Sequence, residues 1–238
     1  MRILVLCLIL LVFTTYGYAE SYPDFIFKAD QFFKQYVKDG LVDYKRVGTS
    51  KQEIEALYAA IGEMKLDGLN DLQKQAFYIN AYNLIVIYWV TKHYPLKSPL
   101  DDSGFFDKVR HQVAGEALTL NMLEIKKLLA TYQDARFHFA LACAAKSCPP
   151  LASFAFKAET LDKQLNERTS AALNNSKWLI FNEKTNQVSL SKIFDWYKKD
   201  FNTGSKTTIQ WINQYRKNKI SEKASITFYE YDWSLNER

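Results

Sequence analysis

The chain is poor in the residues that most often announce a chemistry. Its 238 residues hold three cysteines, three histidines and three methionines, with eight glycines and five prolines. The few glycines form no phosphate-cradling loop. The prolines build no low-complexity linker and no internal repeat is present, so neither an array nor a string of linked domains is expected. There is no second cysteine pair, which excludes zinc-ribbon spacing. A polybasic block is also missing. Lys and Arg number 31 against 26 Asp and Glu, and the lysines are scattered, so no nucleic-acid partner is expected from the net charge of +5. The uninterrupted apolar run of the body, 84–90, is far too short to span a bilayer.

What is present begins with a leader. Arg2 supplies a short positive region, 3–13 is an apolar run, and Gly17-Tyr18-Ala19 offers small residues for cleavage before Glu20. The spacing predicts a signal peptide over 1–19 and an exported protein, periplasmic or secreted, with no membrane attachment after cleavage. Cys7 has no small residues before it and does not read as a lipidation site. Residues 20–238 are then a single domain, whose cysteines are Cys143 and Cys148 in an oxidising compartment.

Periodicity predicts helices over 20–40, with Gly40 as C-cap, and over 50–64, with Ser50 and Glu53 as a capping box. Asp43, between apolar neighbours, reads as a turn or cap residue. A helix over 72–92, opened by Asn70 or Asp71, is apolar on every side and therefore buried. Asn80 and Asn83 interrupt it three residues apart on one face. A buried amide must find a partner, so they either tie down neighbouring loops or orient a catalytic imidazole or a substrate. A hairpin is expected around Gly115, followed by a helix that Asn121 and Glu124 cap; His93 and His111 are expected at the surface. Further helices are read at 160–173, from Ser191 and at 207–216, with a hairpin of 177–181 and 187–190 and a last strand over 224–233. The sum is an α+β domain, helices packed on a modest, mainly antiparallel sheet.

The densest chemistry lies between Arg136 and Pro150. The apolar run 137–143 is favoured as a buried strand, and Cys148 stands before two prolines in a loop. A thiolate nucleophile needs a base and a group to hold the base. Cys148 is the better nucleophile for its expected access, and His138 the base. Asn80, Asn83, Asp195 or Asp232 could orient the imidazole. Two cysteines five apart in an exported chain could equally be a disulfide, worth about 2–3 kcal/mol. With His138 they could also offer three zinc ligands, though the spacing does not favour it.

Several motifs, in order, resemble the uncharacterised DUF547 family. They are Gly40-Leu41-Val42-Asp43-Tyr44, Phe77-Tyr78-Ile79-Asn80-Ala81-Tyr82-Asn83, His138-Phe139-Ala140-Leu141 running to Ser147-Cys148-Pro149-Pro150, Ser191-Lys192-Ile193-Phe194-Asp195-Trp196-Tyr197 with Asp200-Phe201, and Tyr231-Asp232-Trp233-Ser234-Leu235-Asn236. Bacterial members of that family are often exported, which agrees with the leader. The family name transfers no activity. A papain- or transglutaminase-like fold is an analogy only, since the helix whose start carries the cysteine in those folds carries Asn80 here.

The sequence is compatible with two functions. One is a cysteine-dependent hydrolase or acyl transferase for an amide-type bond in a small-molecule or peptide substrate. Its catalytic set would be Cys148, His138, Asn80 and Asp195, and its binding set Asn83, Trp196, Tyr197, Asp232 and Trp233. The other is a non-catalytic peptide- or glycan-binding protein with a Cys143–Cys148 disulfide and the aromatics Trp196, Tyr197, Tyr231 and Trp233 in a groove. Neither calls for a metal or another cofactor.

Overall fold

Asn70 and Gln73 open the helix around which the rest is packed. The Asn70 side chain accepts from the Gln73 N–H and the Gln73 side chain accepts from the Asn70 N–H, each at 2.9 Å. This capping box starts α4 (Asp71–Lys92), in which every residue from Ala76 to Ile87 is buried. Three N-terminal helices wrap it: α1 (Tyr22–Tyr36), α2 (Tyr44–Thr49) and α3 (Lys51–Glu63). The computed structural model describes residues 21–202 and 204–238, so the expected leader at 1–19 lies outside the described residues. Among the described residues no helix is long and apolar enough to cross a membrane.

The fold is α+β, one domain rich in helix. Its strands do not share one sheet. Val37–Lys38 (β1) pairs with Leu41–Val42 (β2), and His111–Val113 (β3) pairs with Glu116–Leu118 (β4), both antiparallel. The third sheet joins Ile180–Asn182 (β5), Gln187–Leu190 (β6) and Ser225–Phe228 (β7), with β6 antiparallel to β5 and parallel to β7. Strands of two to four residues have too little ladder to form a platform, so the helices pack on one another instead. The first hairpin needs Gly40. Its φ is +83°, and a Cβ there would collide with Pro150.

Several boundaries move for local reasons. Asp43 is indeed a cap, accepting from the Arg46 N–H at 3.1 Å, but the helix it starts, α2, is additional. That helix ends at Thr49, so Ser50 joins α2 to α3 and makes no side-chain capping bond. After the second hairpin Thr119, not Asn121, is the N-cap, accepting from the Met122 N–H at 3.1 Å. The helix then runs as α5 (Leu120–Met122), a π-helical stretch (Leu123–Leu129) and α6 (Ala130–Tyr132). His111 is not at the surface: it is 1% exposed beneath Tyr58 and Trp89, while His93 is exposed.

The apolar run after Gln133 is not a strand. Asp134 accepts from the Arg136 N–H at 2.9 Å and starts a 3₁₀ turn, Ala135–Phe139. The reason appears in the packing. Phe137, Ala140, Leu141 and Ala142 belong to the large core around α1 to α4. Ala135 and Phe139 belong to a second, smaller core with Trp178, Leu190, Phe194, Phe201 and Trp211. That second core is built by α7 (Leu161–Leu173), α8 (Ile193–Trp196), α9 (Lys198–Phe201), α10 (Thr208–Tyr215) and the third sheet. The run is apolar because it forms the seam between two cores and is covered on all sides, which hides its periodicity.

Candidate functional site

A buried segment without a sheet partner must still satisfy its backbone. Along the seam α4 does this with its two asparagines. Asn83 donates to the Ala140 carbonyl and accepts from the Ala142 N–H, both at 2.9 Å. Asn80 treats Phe156 in the same way, donating to its carbonyl at 2.8 Å and accepting from its N–H at 2.9 Å. Both amides are thus spent on backbone. Asn80 orients no imidazole and Asn83 binds from behind the cavity wall, which corrects their assignment to catalysis and ligand contact. Asp30, which the sequence reading missed, takes the Ala155 N–H at 3.0 Å and meets Lys34 at 2.7 Å.

The C-terminal tail closes the other side. Only 225–228 of the expected last strand is regular; beyond it the tail threads past the cysteine loop. Lys146 N–H donates to the Ser234 carbonyl at 2.8 Å, and Ser147 N–H to that of Asp232 at 3.1 Å. Asn236 donates from its N–H to the Ala144 carbonyl and accepts from the Tyr44 hydroxyl. This lacing puts Tyr231 against the cysteines, with Trp233 beside Tyr231 on the cavity wall.

The result is a cavity of about 280 Å³ where the two cores meet. Glu124, His138, Cys143 and Cys148 line it, together with Asn121, Tyr82, Tyr197, Tyr231, Trp196 and Trp233. Cys143 and Cys148 are bridged, with Cα atoms 6.1 Å apart. Cys148 is 6% exposed, so the access expected for it is absent, and Cys143 is the more open of the pair. The Tyr231 hydroxyl lies 3.3 Å from Cys143 Sγ and 3.4 Å from Cys148 Sγ. Neither sulfur has a hydrogen bond to His138 among the described residues.

The imidazole is held by acids instead. His138 Nε2 is 2.8 Å from Asp200 Oδ2, and Nδ1 is 3.9 Å from Glu124 Oε1. Tyr197 and Phe201 flank the ring. The partner carboxylate is therefore Asp200. Asp195, one turn earlier, is exposed and does not line the cavity. The spacing of α8 and α9 decides this: the break at Tyr197 turns Asp200 inward, and a sequence motif holding both acids does not show that break. Asp232 lines the tail rather than the cavity. Its side chain holds Ser234 N–H at 2.9 Å, and that bonding keeps its carboxyl below the usual range.

Glu124 is the residue that sequence reading assigned only to a helix cap. The π-helical stretch, a feature frequent at functional sites, turns it into the cavity. Burial raises its pKa above the ordinary carboxylate range, against the pull of His138 and the hydroxyls of Tyr197 and Tyr82 directed at it. Burial raises Tyr82, Tyr197 and Tyr231 likewise. A carboxyl whose folded pKa is raised stabilises the fold fully below its unfolded pKa, and that contribution is lost as pH rises through the folded one. Glu124→Gln is therefore expected to be more stable than the parent at pH 8, with the gap closing at pH 4, as read from urea midpoints. A gap that does not change with pH would contradict this.

Among the described residues no three histidines, cysteines or acids cluster as metal ligands, so Cys143, Cys148 and His138 share a cavity without forming a zinc set.

A helix-rich α+β domain with one aromatic-walled cavity at the seam of two cores is the class that fold and site define. Residues 66–171 match the family described as Protein of unknown function, DUF547, and the chain is similar to that family over this region. The matched stretch carries Asn80, Asn83, Glu124, His138 and both cysteines; Trp196, Asp200, Tyr231 and Trp233 come from beyond it. No curated protein and no solved structure matches the chain, and the papain-like analogy gains no support.

Proposed function

We propose that the chain is an exported DUF547 protein that binds a glycan segment in the seam cavity, with the Cys143–Cys148 bridge as part of the wall. The observation that carries this reading is the aromatic platform at the mouth. Trp196, 48% exposed, stacks on Trp233 with centroids 5.9 Å apart and planes 26° apart, and Tyr231 lies 4.7 Å from Trp233. Flat exposed indoles receive the C–H faces of a sugar, while Glu124 and Asn121 offer hydrogen bonds to its hydroxyls or amides. The buried His138 imidazole, held by Asp200, stands 3.9 Å from Glu124 and helps to position it.

The test is calorimetric titration with neutral hexosamine oligomers, using a neutral tetrapeptide as the competing ligand class. Saturable glycan binding is expected, weakened about tenfold or more, about 1.4 kcal/mol, by Trp233→Ala and by Trp196→Ala. Binding of the peptide alone, or glycan binding that survives both substitutions, would overturn the reading.

A second reading keeps the thiol chemistry, on one specific observation. The Cys143 N–H donates to Cys148 Sγ at 2.8 Å and the Tyr231 hydroxyl at 3.4 Å, donors that would favour a Cys148 thiolate. A dithiol reductant would have to supply two electrons and two protons to open the bridge. Cys148 could then attack an acyl carbonyl, expelling an amine or alcohol, with water releasing the acid. After such reduction Cys148 should alkylate much faster than Cys143 near neutral pH; equal, slow rates would remove this alternative.

A further inference from the structure

Arg136 and Arg168 both stand at α7, and their surroundings differ. Arg136 is met by Asp134, Asp162 and Asn166, with its Nη1 2.7 Å from Asp162 and its Nη2 2.6 Å from Asp134. Arg168, on α7, has no such company. Its Nη2 donates to the Pro150 carbonyl, its Nε is buried without a partner, and no carboxylate pairs with it among the described residues. Burial lowers its pKa with no acid offsetting the effect. A buried guanidinium left unpaired is costly, and an anion is the usual remedy.

Space for one is present. Arg168 lines a cavity of about 400 Å³, separate from the seam cavity, with Ser153, Asn175 and Asp39 at its edges. One wall is rigid, since Gly40 packs directly on Pro150, whose carbonyl anchors the guanidinium. Ser153 and Asn175 add a hydroxyl and an amide that can donate to an oxyanion. Asp39 is exposed on the rim and penalises a multiply charged ligand more than a singly charged one.

We propose that this second cavity binds a small monocarboxylate, received by the Arg168 guanidinium with Ser153 and Asn175 as supporting donors. The site is independent of the glycan reading and survives its failure. A planar fork matches two carboxylate oxygens, and the rim charge of Asp39 turns away a phosphate dianion.

The experiment is a melting-temperature titration of the full chain with sodium acetate, inorganic phosphate and sodium chloride at matched ionic strength. Acetate is expected to raise Tm saturably where chloride does not. Arg168→Met should abolish that rise and should itself melt above the unliganded parent, because it removes the unpaired charge. Asp39→Asn, a surface change that leaves the fold intact, should tighten acetate and admit phosphate, each by several-fold. An acetate response equal to that of chloride would overturn the proposal. So would a response retained in Arg168→Met, or phosphate binding more tightly than acetate in the parent.

Discussion

Replacing Asn83 by alanine is expected to cost about 2–5 kcal/mol of stability, because it leaves one buried carbonyl and one buried N–H without partners. The amide is 1% exposed and makes both of its backbone bonds to the stretch between His138 and Cys143. No strand stands ready to replace it there. Asn80→Ala should cost a similar amount, since that amide is equally buried and equally bidentate at Phe156. The two variants should part company at the cavity. Asn83→Ala loosens the wall that carries His138 and Cys143, so its bridge should be reduced faster and hydrogen exchange at Ala142 should rise. Asn80→Ala should leave both near the parent's values. Urea unfolding gives the stabilities, and exchange with timed reduction gives the difference. Equal effects of the two substitutions on the bridge would show that Asn83 has no privileged link to the site.

That pair of asparagines also marks how far the sequence could be read. A polar residue in a helix apolar on every side must be paired, so the need for partners was legible; the identity of the partners was not. Asn80 and Asn83 look alike on one face of α4, yet they reach segments about sixteen residues apart, Ala140 to Ala142 and Phe156. Composition and periodicity likewise reached the long buried helix, both later hairpins and the association of His138 with the cysteines. They could not reach Asp200. Asp195 and Asp200 sit in one aromatic motif, and only the break between α8 and α9 decides which one faces the imidazole. Glu124 was hidden for a related reason. A helical wheel at 3.6 residues per turn misplaces side chains across a π-helical stretch, and this stretch turns Glu124 inward.

The seam explains why these misses gather at the site. Each core taken alone is regular: the apolar helix α4 is buried in the first, and Phe194, Phe201 and Trp211 cluster in the second. The segment 135–142 answers to both cores at once, so neither a strand nor a helix period describes it. Residues that meet there come from α4, the π-helical stretch, the 3₁₀ turn, the cysteine loop, α8 and the tail. Such convergence is tertiary, and it is where local sequence rules lose their hold.

His111 should make the protein acid-sensitive below the ordinary histidine range. Burial, with a smaller contribution from Lys92, lowers its pKa to about 4. Nδ1 is 3.0 Å from the Tyr58 hydroxyl, Trp89 stands edge-on at 5.2 Å, and Nε2 is buried without a partner. Among the described residues the charge that acts on the ring is the like charge of Lys92, which does not welcome a proton. In the unfolded chain the same imidazole titrates near 6.5. Between those values the unfolded state binds a proton that the folded state refuses, so stability present above pH 6.5 falls as the pH drops towards 4 and then levels off. The loss is on the order of 3 kcal/mol, from the interval between about 4 and 6.5 at about 1.36 kcal/mol per pH unit. Buried carboxylates such as Asp30, held low by Lys34 and the Ala155 N–H, add their own acid loss, so the parent alone does not isolate the effect. His111→Phe does. It keeps a ring between Tyr58 and Trp89 and removes the titration, so its unfolding free energy should fall less than the parent's between pH 7 and pH 4.5. If the two curves run parallel across that window, the proton that unfolds the parent in mild acid goes elsewhere.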